Sequence, residues 1–232
     1  MNNELLPARA AILYQLRHTL SARYSELQRA ANMESDTFKF HVRYLVEQGI
    51  IAKQADGAYA LTSAGKEVAN NLNQSSRTLL KQPKLSLMLV ISRQTANGPT
   101  EYLMQKRLRQ PFYGYWGLLS GPAQWGEDFA RTAAQELQKQ TGLVATLQVS
   151  TFLRQRDYTT AHDLLEDKLF VLLTATLRGE QPKTWKHGEN AWLTLAQLRE
   201  QPQYFSLTEQ AIQAAQTGQF AELTQILHPE DY

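Results

Sequence analysis

The apolar residues of this 232-residue chain keep two different periods, and the change between them demands two separately built halves. Up to about residue 72 they recur at helical spacing. Beyond residue 83 they fall in strand-length runs at 85–91, 101–106, 147–153 and 169–177. One strong helical stretch, 128–140, interrupts these runs, and weaker helical stretches follow at 194–200 and 207–227. The intervening segment 73–83, Asn-Gln-Ser-Ser-Arg-Thr-Leu-Leu-Lys-Gln-Pro, keeps neither period. A chain of this length exceeds what one compact domain usually needs, so the boundary is placed there, between domains over 1–78 and 84–232. The expected class is α+β in two domains.

Residues 7–48 read as three helices. Pro7 suits a first helical turn, and Ile12, Leu13, Leu16 and Leu20 follow helical spacing. Ser25 with Gln28 has the form of a capping box opening a short second helix. Ser35 is the expected N-cap of a third, with Phe38, Val42, Leu45 and Val46 turned inward and Gly49 as its stop. Residues 50–53 and 58–61 flank Asp56–Gly57, a hairpin signal, and a fourth helix is expected from Thr62 to about Leu72.

Composition narrows the chemistry. With no cysteine, disulfides, thiolate zinc sites and cysteine nucleophiles are excluded. The five histidines contain no pair at i, i+3 or i, i+4, so no helix carries a histidine metal pair. No apolar run approaches membrane-spanning length and no secretory leader opens the chain, which leads us to expect a cytoplasmic protein. Net charge is +2, and all of that excess lies in residues 1–80, with nine basic and seven acidic residues. So small an excess permits nucleic-acid binding without requiring it.

Three helices followed by a hairpin is the order of a winged helix-turn-helix. The resemblance to prokaryotic winged-helix regulators spans about residues 8–72. It rests on Tyr-Ser-Glu-Leu at 24–27, Phe-His-Val-Arg-Tyr-Leu at 40–45, Glu-Gln-Gly-Ile-Ile at 47–51 and Tyr-Ala-Leu-Thr-Ser-Ala-Gly-Lys at 59–66. It implies double-stranded DNA as a partner, read by the third helix in the major groove. With the apolar stripe inward, its outward face carries Thr37, Lys39, Phe40, His41, Arg43 and Tyr44, and Lys53 of the hairpin is placed to touch backbone. One copy with so little charge binds duplex weakly, so a homodimer is expected.

In the second half, residues 121–143 resemble the Nudix box, G-x5-E-x7-R-E-U-x-E-E-x-G-U, where U is aliphatic. Gly121, Glu127, Glu136, Leu137, Gly142 and Leu143 fall in register, six of nine signature positions. Met-Gln-Lys-Arg at 104–107, Trp-Gly-Leu-Leu-Ser-Gly at 116–121 and Glu-Asn-Ala-Trp-Leu at 189–193 agree with recurrent Nudix flanks. The resemblance implies a Nudix α/β/α sandwich over about residues 84–230. The three departures are chemical: Gln135 replaces the arginine, and Lys139 and Gln140 replace the paired glutamates. Positions 136, 139 and 140 share one helix face, where active members gather carboxylates around magnesium. A lysine ~5 Å from a divalent cation adds repulsion of about 6 kcal/mol at an effective dielectric of about 20. Neither a metal nor another cofactor is therefore expected, and no catalytic residue is assigned.

The expected function is a ligand-responsive transcription regulator whose degenerate Nudix domain, a pseudoenzyme, senses a small phosphorylated metabolite, nucleotide-derived or a sugar phosphate. Candidate ligand residues are Lys106, Arg107, Arg109, Tyr113, Trp116, Glu127, Glu136 and Lys139, which combine phosphate-pairing cations with stackable rings. Trp125 and Trp192 are expected to be structural. Known regulators with Nudix-related sensors place the sensor first, so the reversed order here carries over their logic and not their metabolite. Two alternatives remain open: a metal-dependent pyrophosphohydrolase using Glu127, Glu136 and a relocated carboxylate (Asp128, Glu166 or Asp167), and a protein-interaction scaffold.

Overall fold

A computed structural model describes residues 6–72, 82–95 and 98–227. The chain divides into two compact units, 1–81 and 82–232. Most of the expected linker, 73–81, lies outside the described residues. Among the described residues no helix is long and apolar enough to cross a membrane.

The first unit runs α1 (Pro7–Arg17), α2 (Tyr24–Ala31), α3 (Ser35–Glu47), β1 (Ile51–Lys53), β2 (Tyr59–Leu61) and α4 (Ser63–Asn70). Ile12, Leu13, Leu16, Leu27, Phe38 and Leu45 form its core. The hairpin pairs Ile51 with Leu61, and its turn is closed by the Asp56 carboxylate accepting from the Ala58 N–H at 3.0 Å. The caps differ from expectation. Glu26, one turn into α2, accepts the Arg23 N–H at 2.6 Å, so the box opens at Arg23 and not Ser25. Ser35 is the first residue of α3, after Glu34 at the N-cap. Thr62 caps α4 by accepting from the Gly65 N–H at 3.0 Å and donates to the Gly49 carbonyl at 2.6 Å, tying the helix to the hairpin.

The inward stripe of α3 is Phe38, His41, Val42 and Leu45; Val46 is 40 % exposed. This corrects the assignment of His41 to the outward face. At 3.6 residues per turn, positions 41 and 46 each lie roughly 70° from the centre of the 38–42–45 stripe, so periodicity cannot separate them. Packing decides: α1 lies on the His41 side, where Arg9 stacks on the Tyr44 ring with its guanidinium carbon 3.5 Å from the centroid. Burial, then the nearby Arg9 charge, pushes the His41 pKa below its ordinary 6.5.

The second unit is a seven-stranded mixed sheet with helices on both faces. Its elements are β3 (Lys84–Arg93), β4 (Glu101–Arg107), β5 (Trp116–Pro122), α5 (Phe129–Thr141), β6 (Gln148–Thr159), β7 (Leu164–Thr176), β8 (Gly188–Leu193), α6 (Leu195–Arg199), α7 (Thr208–Thr217) and β9 (Ala221–Leu227). The strand order is β8-β4-β5-β3-β7-β6-β9, with β3–β7 and β6–β9 parallel. Alternation along β3 assigns the two faces: Leu87, Leu89 and Ile91 pack with Ala133 and Leu137 of α5, and Met88 and Val90 pack with Ala211 and Ile212 of α7.

The expected helical stretch 207–227 is two elements. Gly218, at φ +69°, ends α7 in the left-handed region, and β9 then turns back to pair with β6. β5 and β8 were not expected as strands, and β5 contains the reason. Gly117 and Gly121 lower its apparent strand propensity, yet a Cβ at Gly117 would sit 2.6 Å from the Phe205 ring. Trp192 is buried, with its indole N–H donating to the Glu180 carbonyl at 2.8 Å. Trp125, in contrast, is fully exposed and fills no core.

Two outcomes follow for the first unit. A Cβ at Gly65 would lie 1.9 Å from the Ile50 carbonyl oxygen, so Gly65→Ala should cost about 1–3 kcal/mol and lower that unit's unfolding midpoint in urea while leaving the sheet unit's unchanged. His41 binds its proton more weakly folded than unfolded, so the stability it contributes is complete above pH 6.5 and is lost as pH falls through the lower folded pKa. The urea midpoint of the first unit should drop between pH 7 and 5, and less steeply in His41→Leu.

Candidate functional site

The exposed face of α3 presents Thr37, Lys39, Phe40, Arg43 and Tyr44, and Lys53 is exposed on β1. Tyr44 is held from below by Arg9. Arg43 lies over the Phe40 ring at 5.9 Å and 3.7 Å from Glu47, a loose exposed pair that costs little to break when a phosphate or base competes. Six of the seven groove-facing candidates are therefore accessible; His41 is not.

In the second unit the helix that carries the signature glutamate is docked by polar contacts. Glu136 is 6 % exposed, and both carboxylate oxygens are occupied: Oε1 accepts from Lys139 Nζ at 2.9 Å and Oε2 from Gln140 Nε2 at 2.8 Å. The other Gln140 amide hydrogen goes to the Ser120 carbonyl at 3.2 Å, and Gln140 Oε1 accepts from Gln105 at 3.1 Å. Gln105 also donates to Asn190, which donates to the Gln140 and Lys183 carbonyls at 2.7 Å each. Gly121 admits the carboxylate to the sheet, since a Cβ there would lie 3.0 Å from Glu136 Cγ.

These residues do not fit the magnesium that the Nudix resemblance implies. A hard dication needs several free carboxylate or carbonyl oxygens, whereas here an ammonium and an amide take both Glu136 oxygens. The carboxylates considered as relocated ligands are engaged elsewhere: Asp128 caps α5 through the Arg131 N–H, Glu166 pairs with Lys84, and Asp167 takes Arg154 on both oxygens. Among the described residues no three histidine or acidic side chains gather as a metal site.

Beside this network, on the α7 face of the sheet, lies a cleft of about 100 Å³ that shares Gln105 and Ser120 with it. Arg107 and Lys168 line it, as do Asp157, Phe112, Phe170 and Phe205. Burial, reinforced by Arg109, pulls the Arg107 pKa down; burial also lowers that of Lys168, against the opposing pull of the Glu166 and Asp157 carboxylates. Phe112 reaches the wall through a backbone φ of +66°, unfavourable by roughly 1–2 kcal/mol for an L-residue, and its ring meets Phe205 edge-on at 5.2 Å.

Of the eight expected ligand residues, only Arg107 lines this cleft. Arg109 is exposed and close enough to perturb Arg107; Lys106 does not line the cleft and has Glu189 at 3.9 Å. Tyr113 is exposed, and Trp116 is half-buried against the α7-side core, its backbone clamped by Gln203 and Phe205. Glu127 is exposed and pairs with Arg131 at 3.3 Å. Glu136 and Lys139 do meet, and they satisfy one another. Sequence reading missed Asp157, Lys168 and Phe205. Asp157 had a visible signal: Leu153, Gln155 and Asp157 share one face of β6, which puts a carboxylate in the inward phase of a strand.

Comparison with known proteins agrees with this architecture. A NUDIX domain model matches residues 86–213, and a winged helix-turn-helix model matches residues 9–79. The NUDIX domain of Shewanella oneidensis NrtR, solved in complex with ADP ribose, superposes with a TM-score of 0.51 at 20 % identity over 68 % of this chain and 98 % of that one. A MutT protein from Bacillus halodurans gives 0.49 at 14 % identity, over 64 % and 93 % of the two chains. A MutT NUDIX hydrolase from Burkholderia pseudomallei gives 0.45 at 22 %, over 57 % and 98 %. At these identities the likeness is one of fold. No curated protein matches the chain. The helix-flanked sheet and the match over residues 86–213 together place this chain in the NUDIX domain family, with a winged helix-turn-helix preceding that domain.

Proposed function

We propose that this protein is a ligand-responsive transcription regulator, in which the winged helix binds operator DNA and the NUDIX domain binds a small phosphorylated metabolite without hydrolysing it. One observation carries the reading: Glu136 is neutralised by Lys139 and Gln140 next to a cleft lined by Lys168 and by Arg107, whose terminal nitrogens bond no partner among the described residues. That arrangement favours retaining an anion and lacks the carboxylates needed to bring a metal to it. The exposed polar, basic and aromatic face of α3 suits a major groove. A winged helix with so small a basic excess needs a second copy for useful affinity, so the protein acts as a homodimer on a near-palindromic site. The ligand must favour one dimer geometry over another for operator affinity to change. ADP-ribose, present in the NrtR structure, is the first ligand to try.

Selection of genomic fragments by the full chain at about 0.15 M salt should recover one or a few near-palindromic sites. Arg43→Ala should weaken binding to such a site about tenfold, the size of one good contact, and leave ligand affinity unchanged. Arg107→Ala should abolish the ligand response and leave ligand-free DNA binding intact. Uniform, sequence-blind recovery would remove the regulator reading, and magnesium-dependent cleavage of ADP-ribose that disappears in Glu136→Gln would replace it with an enzyme.

A further inference from the structure

The cleft contains an acceptor with nothing to accept. Asp157 is 1 % exposed and lies on β6 beside Gln225 of β9 and Glu166 of β7 in strand register. Its Oδ1 takes two hydrogen bonds, from Gln155 Nε2 at 2.8 Å and Gln225 Nε2 at 2.9 Å. Its Oδ2 is buried and has no partner among the described residues. A buried carboxylate oxygen is normally hydrogen-bonded, and leaving it unpaired carries the full desolvation penalty, so an unpaired one in a cleft wall marks a place for an incoming donor.

The surroundings restrict what that donor can be. Lys168, opposite Gln155 in the strand register, has its ammonium 3.9 Å from Glu166, and Arg107 lines the same cleft. These two cations already face the Asp157 and Glu166 carboxylates, so the donor that adds no third positive charge beside them is a neutral N–H or O–H. Among the described residues Arg107 spends only its Nε on the protein, at 3.1 Å from the Pro111 carbonyl, which leaves its terminal nitrogens for an anion. Phe112, Phe170 and Phe205 supply a flat apolar wall between these polar ends.

We infer that Asp157 is a specificity-determining residue of the cleft: its Oδ2 accepts a hydrogen bond from a neutral donor on a nucleoside diphosphate whose phosphates lie against Arg107 and Lys168. The inference rests on the proposed reading of the cleft as an anion site and adds which ligands it rejects. The donor is a base amine or a ribose hydroxyl, and the two sources are separable by the choice of ligand.

Calorimetric titration of the full chain would use four probes: ADP, the diphosphate of purine riboside (which lacks the base amine), dideoxy-ADP (which lacks the ribose hydroxyls) and inorganic pyrophosphate. ADP should bind at least tenfold more tightly than one of the two deleted analogues, as expected when a buried charged acceptor loses its donor. Asp157→Asn turns the acceptor into a donor without changing its shape, so that preference should vanish. Thermal melting of the variant reports whether it folds, and the wild-type comparison stands without it. Weaker binding of the amine-deleted ligand identifies the base as the source, and weaker binding of the dideoxy ligand identifies the ribose. Equal binding of all three nucleotides, or a preference that persists in Asp157→Asn, overturns the inference. Pyrophosphate binding as tightly as ADP also overturns it while leaving the anion site standing. Failure of pyrophosphate to bind at all removes the anion site itself.

Discussion

The second unit depends on one buried carboxylate. Glu136 sits where α5 meets β5, and a side chain this buried must have both oxygens satisfied. Lys139 and Gln140, one turn further along the same helix, satisfy them. Gln140 passes the constraint to β5 through Ser120, to β4 through Gln105 and to β8 through Asn190. The helix is thereby located against three strands by directional bonds, where apolar packing of Ala133 and Leu137 alone would leave its rotation less defined. Gly121 is the steric condition for the arrangement, because the carboxylate lies where its Cβ would crowd it.

The same substitutions account for the chemical character of the site. In a metal-dependent member of this fold, the face formed by positions 136, 139 and 140 would be strongly negative; here a lysine and an amide make it neutral and self-satisfied. In the adjoining cleft Arg107 and Lys168 stand with the Asp157 carboxylate, and Glu166 lies 3.9 Å from the Lys168 ammonium. Under the function proposed above, binding and turnover are separable by charge: the cleft offers cations to a phosphate, and the helix face does not offer the carboxylates that would bring a metal to it.

Much of this was legible along the chain because it depends on local periodicity. Helical spacing located α1 and α3, the Asp56–Gly57 turn located the hairpin, and strand-length apolar runs located β3, β4, β6 and β7. The legibility failed where two constraints competed. Residues 207–227 have a composition compatible with helix throughout, and Gly218 with the pairing of β9 to β6 divides them. The glycines of β5 disguise a strand because the space they leave is filled by Phe205 and Glu136, residues 88 and 15 positions away from Gly117 and Gly121 respectively. Helical angles treat His41 and Val46 as equivalent, and only the position of α1 buries one and exposes the other.

By itself the sequence determined the two-part architecture, the helix bearing the signature and the loss of its acidic cluster, since each is a matter of residue type at fixed spacing on one element. The tertiary structure decided the cleft. Its residues come from β3, β4, β5, β6, β7, α7 and β9 and from the loops that carry Phe112 and Phe205, and their meeting depends on strand order, with β7 inserted parallel beside β3 and β9 parallel beside β6. Arg107 stands out in the sequence because it neighbours other cations, and Asp157 by its inward phase on β6, while Lys168 is an ordinary charged residue until the sheet brings it beside them. Spacing along a chain reports contacts within an element, and charges from distant strands become a site only when packing removes the water between them.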